Sequence, residues 1–223
     1  MCEDISSLRQ KFNINKNDGY VIALAGNPNT GKSTLFNALT GLRQHTGNWP
    51  GKTVIQAQGE FSHKNHDFVL VDLPGTYSLF PNSLDEQVAR DFLCFARPDV
   101  TIAVADATCL ERNLNLILQI LEITPQVILC LNLMDEAKRK NIKVNIDGLS
   151  KELGIPVIPT AARSGRGLRE LKYTLVDMVD GKIKAYPRQI NYDDDIEEKV
   201  QEIQSHLKGN LINYINPRWL ALR

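Results

Sequence analysis

The residues best equipped for chemistry stand in Gly26-Asn27-Pro28-Asn29-Thr30-Gly31-Lys32-Ser33, a G-x-x-x-x-G-K-S run followed by Thr34. Glycines at its two ends allow a sharp turn that aims successive backbone N–H groups inward, the arrangement that cradles a phosphate at a helix N-terminus. In such a loop Asn27, Pro28, Asn29 and Thr30 wall the phosphates and Lys32 offers a mobile charge to the β- and γ-oxygens. The Ser33 hydroxyl is placed to ligate Mg²⁺, with Thr34 beside it. The chemistry expected is binding of a nucleoside triphosphate and transfer of its γ-phosphoryl group, with Lys32 as a catalytic charge.

Three further stretches would complete such a site. Asp72-Leu73-Pro74-Gly75 is a D-x-x-G in which Asp72 can hold Mg²⁺ through a water and the Gly75 N–H can bond the γ-phosphate. Between the two motifs, residues 44–53 are polar and glycine-rich yet contain Trp49. Thr53 at their end is the candidate to reach Mg²⁺ and sense the γ-phosphate. The same residues also suit an ordinary connection with Trp49 packed on the surface. Asn132-Leu133-Met134-Asp135 ends in a carboxylate able to accept both the N1–H and the N2–H₂ of guanine, a donor pair that adenine lacks. Asn132, Met134 and Asp135 are therefore expected around a guanine; the other reading of Asp135 is a helix N-cap. Ala161 and Ala162 follow, with the Ala162 N–H expected to reach the guanine O6.

Elements of the right kind flank each motif. Residues 20–25, 67–71, 100–106, 127–131 and 155–159 are short, mostly apolar runs that read as strands. Residues 54–61 alternate loosely and precede a polar turn at His63 to His66, so that one strand of the sheet is expected to be antiparallel. Thr34 to Gly41 reads as a helix, and residues 76–82 as a mobile stretch before a helix that opens on the capping box Ser83-x-x-Glu86. Val88, Phe92, Leu93 and Phe95 are its expected inward face; Leu114, Ile117, Leu118 and Leu121 mark the next helix, and residues 168–179 a later one. Alternation of strand and helix predicts an α/β fold, a mostly parallel six-stranded sheet with one antiparallel strand, helices on both faces and a helical appendage, and the motifs it carries make it resemble the P-loop GTPase fold. The expected organisation is an N-terminal extension at 1–19, mobile or on the surface, a nucleotide-binding domain at 20–181 and an incomplete helical domain at 182–223. In the last, Ile196, Val200, Ile203 and Leu207 form one stripe and Gly209 a C-cap.

Composition narrows the partners. With 26 basic and 26 acidic residues and no basic run, the chain lacks the electrostatic footprint of a nucleic-acid binder. Cys2, Cys94, Cys109 and Cys130 have no C-x-x-C spacing and read as reduced, mostly core residues. His63 and His66 read as part of a solvated turn without nearby carboxylates rather than as metal ligands. The polar start carries no apolar signal region, and no run approaches the ~20 residues that span a bilayer, so the polypeptide as given is expected to be soluble.

The order Gly26-to-Ser33, Thr53, Asp72-to-Gly75, Asn132-to-Asp135, Ala161-Ala162 resembles the translation-factor-like small GTPases. More narrowly, Gly26-Asn27-Pro28-Asn29, Gly47-Asn48-Trp49-Pro50-Gly51, Asp72-Leu73-Pro74-Gly75-Thr76-Tyr77-Ser78-Leu79 and Leu110-Glu111-Arg112-Asn113-Leu114 resemble the cytosolic N-terminal part of the bacterial ferrous-iron transport protein B family. The resemblance spans residues 20–223. It implies a GTPase, converting GTP to GDP and phosphate, joined to a helical regulatory domain and to a membrane domain that moves Fe²⁺. Such a protein sits at the cytoplasmic face of the inner membrane, with that membrane domain, small accessory iron-transport proteins and further copies of the chain as partners. It also implies that Asn29, with backbone carbonyls of Gly47 to Trp49, holds an activating K⁺. Thr76 stands where Ras-like proteins place a glutamine, so slow intrinsic turnover is expected, with Lys32, Thr53 and Asn29 as the catalytic residues. Lys52, Leu133 and Ala161 depart from the family pattern and bear on affinity rather than on nucleotide identity. The alternative is a stand-alone regulatory or assembly GTPase, for which a basic face would speak; an ATPase is disfavoured by Asp135.

Overall fold

The architecture is described from a computed structural model at residues 9–14, 19–41, 44–207 and 215–223. Its centre is a seven-stranded sheet formed by β1 (Tyr20–Gly26), β2 (Gln44–Asn48), β3 (Ile55–His63), β4 (His66–Asp72), β5 (Val100–Asp106), β6 (Val127–Asn132) and β7 (Val157–Pro159), ordered β2-β3-β4-β1-β5-β6-β7. Pairings from β4 to β7 are parallel, while β2–β3 and β3–β4 are antiparallel. The seventh strand is β2, whose residues the sequence presents as loop. Its backbone pairs with β3 from Gln44↔Gly59 to Asn48↔Ile55, and no apolar side chain drives it. The β3–β4 turn uses Lys64 and Asn65 at φ 47° and 61°, the left-handed pair that suits a tight hairpin.

Alternation along the strands divides the interior in two. Val21, Ala23 and Ala25 of β1 face one side with Val69, Val71, Ala103, Leu129 and Leu131, whereas Ile22 and Leu24 face the other with Leu70, Ile102 and Ile128. The second face is covered by α1 (Lys32–Thr40) and α6 (Leu168–Val179). The first is covered by α2 (Leu84–Asp91), a π-helical turn (Phe92–Ala96), α3 (Leu110–Ile123), α4 (Met134–Arg139) and α5 (Ile146–Leu153), the last invisible to the apolar pattern. Ser83 and Glu86 form the expected capping box. The wider π turn shifts the helical phase, so Phe95 is 37% exposed while Cys94 and Ala96 are buried, a correction to the expected inward face.

Other local expectations also change. Residues 9–14 are docked, with Ile14 fully buried and Phe12 against the first-face core. His66 is not in an isolated polar turn: its Nε2 lies 2.8 Å from Asp180 Oδ1, and its ring stacks on Tyr20. Burial pushes the Cys94 and Cys130 thiols up to about 12, which keeps them protonated, whereas Cys109 is exposed; Cys2 and Gly209 lie outside the described residues. Among the described residues no three metal-ligating side chains cluster and no helix is long and apolar enough to cross a membrane.

The chain beyond residue 181 returns to the domain. Tyr186 N–H donates to Gly154 O at 2.9 Å and Arg188 N–H to Leu153 O at 3.2 Å, laying a strap over the end of α5. Then follow α7 (Asp194–His206), whose Ile196 and Ile203 are exposed while Val200 is buried, and α8 (Pro217–Ala221). Trp219 and Ile215 join the first-face core, and Arg218 grips Glu197 of α7 with both terminal nitrogens at 2.6 and 2.7 Å. The strap dictates a glycine at 154: φ is +70°, and a Cβ would sit 1.9 Å from Tyr186 O. Gly154→Ala should combine a left-handed penalty of about 1–2 kcal/mol with loss of hydrogen bonding worth about 1 kcal/mol. Urea unfolding should show a loss of roughly 2–3 kcal/mol together with faster proteolysis within 182–191; an unchanged midpoint would refute the docked strap.

Candidate nucleotide-binding site

The conserved chemistry of a parallel α/β sheet gathers at the carboxyl ends of its strands, and here β1, β4 and β6 deliver the three motifs to one edge. The chain leaves β1 towards β4 on one side and crosses to β5 on the other, so the loop after β1 lies where connections diverge. That loop turns through Asn29 at φ 66° and Gly31 at φ 81° into α1. No side chain caps α1, leaving its first N–H groups turned towards the loop's concavity. Thr30 Oγ1 donates to Asn27 O at 2.9 Å, and Asn27 Nδ2 to Arg112 O at 3.3 Å, so the loop is braced internally and against α3. Ser33, Thr34 and Asn29 are exposed.

Lys32 Nζ lies 2.5 Å from Asp72 Oδ1 and 2.6 Å from Leu73 O, bringing together the first two motifs. Burial pushes the Asp72 carboxyl above its ordinary range, opposed by the Lys32 ammonium. Gly75 packs on Pro28: a Cβ there would meet the Pro28 backbone at 3.3 Å. The stretch after it, expected to be mobile, is tied to α3. Leu79 N–H donates to Gln119 Oε1 at 2.7 Å, Asn115 Nδ2 to Tyr77 O at 3.3 Å, and the Arg112 guanidinium lies 4.4 Å from the Tyr77 ring centre. Thr76 is buried. Nothing in the sequence pattern singles out Asn115 or Gln119, because their partners are backbone groups about forty residues away.

The base side hangs on Asn132, which is 1% exposed. Its Nδ2 donates to Thr30 O at 3.0 Å, while its Oδ1 accepts from Thr160 Oγ1 at 3.1 Å and from Ala162 N–H at 3.0 Å. Ala162, expected to offer its N–H to a base, gives it here to Asn132. Ala161 N–H donates to Arg166 O at 3.1 Å, and Met134 N–H to Thr160 O at 3.1 Å. Leu133 at φ 60° turns the chain so that Asp135 stands exposed in the first turn of α4. Thr160, wholly buried, is a site residue that sequence reasoning passed over. A Cβ on Gly31 would lie 2.5 Å from Asn132 Nδ2, so the phosphate loop and the base loop meet without room for a side chain.

Thr53 stands apart from this convergence. It is exposed in a turn closed by Trp49 N–H to Val54 O at 2.8 Å and Lys52 N–H to Trp49 O at 2.9 Å. Trp49 is 2% exposed rather than packed on the surface.

Comparison with known proteins fits this geometry. The family model described as "Ferrous iron transport protein B" matches residues 20–175. The chain belongs to the ferrous iron transport protein B family. It is 51% identical over 158 residues to the Fe(2+) transporter FeoB of Escherichia coli (strain K12), covering 69% of this chain and 20% of that protein, and 48% identical over the same length to FeoB of Salmonella typhimurium. It thus spans about a fifth of the length of these relatives. Among solved structures, the cytosolic domain of T. maritima FeoB in GDP form superposes with a TM-score of 0.84 at 42% identity, covering 92% of this chain and 79% of that one. The GMPPNP form of the same domain superposes with a TM-score of 0.84, covering 91% and 79%. The cytosolic domain of L. pneumophila FeoB gives 0.81 at 35% identity, covering 90% and 79%. The fold of this family member is the P-loop GTPase fold.

The buried carboxamide of Asn132 makes a prediction. Asn132→Ala leaves Thr30 O and the Ala162 N–H without this partner, each unsatisfied group costing about 1–3 kcal/mol, while the Thr160 hydroxyl keeps Leu131 O and Cys130 Sγ within reach. Equilibrium unfolding should show a loss of roughly 2–4 kcal/mol, and GDP titration an affinity lowered by about tenfold or more. Unchanged GDP affinity in a folded variant would refute its bridging role.

Proposed function

We propose that this chain binds GTP and hydrolyses it to GDP and phosphate at the cytoplasmic face of the inner membrane, serving as the nucleotide-driven switch of a transporter whose attached membrane domain moves Fe²⁺ across that membrane. The observation that carries the reading is the Asn132 bridge, which fixes the distance between a phosphate-binding loop and a loop bearing an exposed carboxylate. Relatives described with GDP and GMPPNP support it.

In this reading the uncapped N–H groups of α1 and Lys32 bind the β- and γ-phosphate oxygens, Lys32 exchanging its present partners Asp72 and Leu73 O for them. Asp135 accepts from the guanine N1–H and N2–H₂ beside Asn132, Met134, Ala161 and Ala162. The exposed Ser33 hydroxyl and the Asp72 carboxylate beside Lys32 are the hard oxygen donors that suit Mg²⁺, with Thr53 as a further ligand and Asp72 acting through water. Bound there, Mg²⁺ neutralises charge on the phosphate oxygens. Asn29, exposed beside the loop, offers an amide oxygen to K⁺, with backbone carbonyls of Gly47 to Trp49 as further donors, among which Trp49 O also accepts from Lys52 N–H. Water attacks the γ-phosphorus, the bond from the γ-phosphorus to the β–γ bridging oxygen breaks, and GDP leaves as the water's proton passes to phosphate. Thr76 is too short to orient that water as a glutamine does, so turnover is slow and rests on Lys32, Thr53 and Asn29.

Asp135→Asn tests base reading. Calorimetry should show GTP binding weakened by about two orders of magnitude, or roughly 3 kcal/mol, while xanthosine triphosphate binding improves; a wild type that binds ATP as well as GTP would refute guanine selection. Turnover tests the cation. Hydrolysis should run several-fold faster in KCl than in NaCl at equal ionic strength, and Asn29→Ala should abolish the difference; equal wild-type rates in the two salts reject a K⁺ role.

A further inference from the structure

Residues 9–14 lie outside the family match, which begins at residue 20, and they dock against the turn that carries Thr53. The Phe12 ring meets Trp49 edge-on at 6.2 Å and Phe92 at 5.4 Å, and Trp49 meets Phe92 at 5.4 Å, so each of the three rings packs against the other two. Gln56 Nε2 donates to Phe12 O at 2.9 Å, and Gln58 Nε2 lies 3.4 Å from both Phe12 O and Asn13 O. Arg9 donates to Ala96 O at 3.1 Å and Arg97 O at 2.8 Å, the closing carbonyls of the π turn that begins with Phe92, and pairs with Asp99 at 3.1 Å. One short segment thus holds Trp49 and also the helix turn on which Trp49 rests.

Trp49 is itself the hinge of the Thr53 turn, since its N–H and C=O make the two hydrogen bonds that close it. Among the described residues no hydrogen bond joins Thr53 to Ser33, Lys32 or Asp72. We propose that Phe12 is a positioning residue for the nucleotide switch: by gripping the Trp49 indole it holds Thr53 in the withdrawn hairpin, and a nucleoside triphosphate must draw Trp49 off Phe12 to engage Thr53. This rests on the assignment of Thr53 to Mg²⁺ and γ-phosphate made above. Residues 9–14 therefore act as an in-chain restraint that sets the threshold between diphosphate and triphosphate. The diphosphate contacts the phosphate and base loops and is indifferent to the restraint. The triphosphate must overcome it by its differential affinity for the closed arrangement.

The experiment titrates the whole chain with GDP and with a non-hydrolysable GTP analogue, in a Trp219→Phe background that leaves Trp49 as the tryptophan reporter. An aromatic pair contributes enough that Phe12→Ala should raise the ratio of analogue to GDP affinity by about tenfold, with GDP affinity within about twofold of wild type. Phe12→Tyr should restore the wild-type ratio. Trp49 emission should shift red when the analogue binds, at lower analogue concentration in Phe12→Ala. The gain should vanish in Phe12→Ala with Thr53→Ala, because the restraint acts only through Thr53. Should Phe12→Ala fail to fold, Gln56→Ala with Gln58→Ala loosens the same segment from its backbone side and must shift the ratio in the same direction. An unshifted ratio, or equal changes in both affinities, overturns the restraint alone. A wild type that binds neither nucleotide overturns the guanine-nucleotide reading and the restraint with it.

Discussion

The architecture of the site depends on one buried side chain. Asn132 sits at the end of β6 without solvent to satisfy it, so its amide and carbonyl must find partners inside. They find them on both sides of the nucleotide edge: Thr30 O in the phosphate loop, Thr160 and Ala162 in the base loop. A group with three partners in a dry environment tolerates little displacement of any of them. The spacing between the loop after β1 and the loop that presents Asp135 is therefore set by protein contacts.

The same edge carries an exchangeable charge pair. Lys32 and Asp72 are joined at 2.5 Å inside a partly buried pocket, where burial works against the carboxylate and the ammonium works for it. An anionic ligand competes for the Lys32 ammonium and a cation competes for the Asp72 carboxylate. In the reading proposed above, ligand binding at this edge is an exchange of partners rather than the filling of a rigid hole. The residues following Asp72 feel that exchange directly, because Leu73 O is the second acceptor of Lys32 and Leu73 N–H is held by Leu24 O at 3.0 Å.

Both loops that would follow the γ-phosphate are moored on the first face of the sheet. The segment after Gly75 is held by Asn115, Gln119 and Arg112 of α3, and its Phe80 ring lies 4.5 Å from the Arg223 guanidinium at the end of the chain. Arg223 also reaches Glu122 of α3. The turn with Thr53 is moored by Trp49 on Phe12 and Phe92. The N-terminal segment and the C-terminal helix thus both pack on this layer, and Arg9 and Ile215 to Pro217 line one cavity beside the π turn.

Local chemistry was legible in the sequence because it is written in consecutive residues. The phosphate loop needs two glycines, a lysine and a hydroxyl at fixed spacing, the capping box needs Ser83 and Glu86 three apart, and buried parallel strands need uninterrupted apolar runs; each is satisfied within a few residues. Tertiary structure decided the remainder for one physical reason: the groups concerned are completed by partners far along the chain. Strand β2 is polar and exists only because β3 offers its backbone; Phe95 turns outward because the helix widens at Phe92; Ala162 spends its N–H on Asn132. Residues 9–14 read as a surface extension because the immediate neighbours of Phe12 are polar, yet Phe12 and Ile14 dock on the core because Trp49 and Phe92 are brought to Phe12, while Gln10, Lys11 and Asn13 stay exposed. The sequence by itself determined which residues are suited to phosphate, Gly26 to Ser33, and which carboxylate, Asp135, is suited to a guanine edge. Only the folded sheet decided how far apart those two grips stand and where Thr53 waits, since both are distances between segments that hydrogen bonds and ring contacts, not spacing, hold in place.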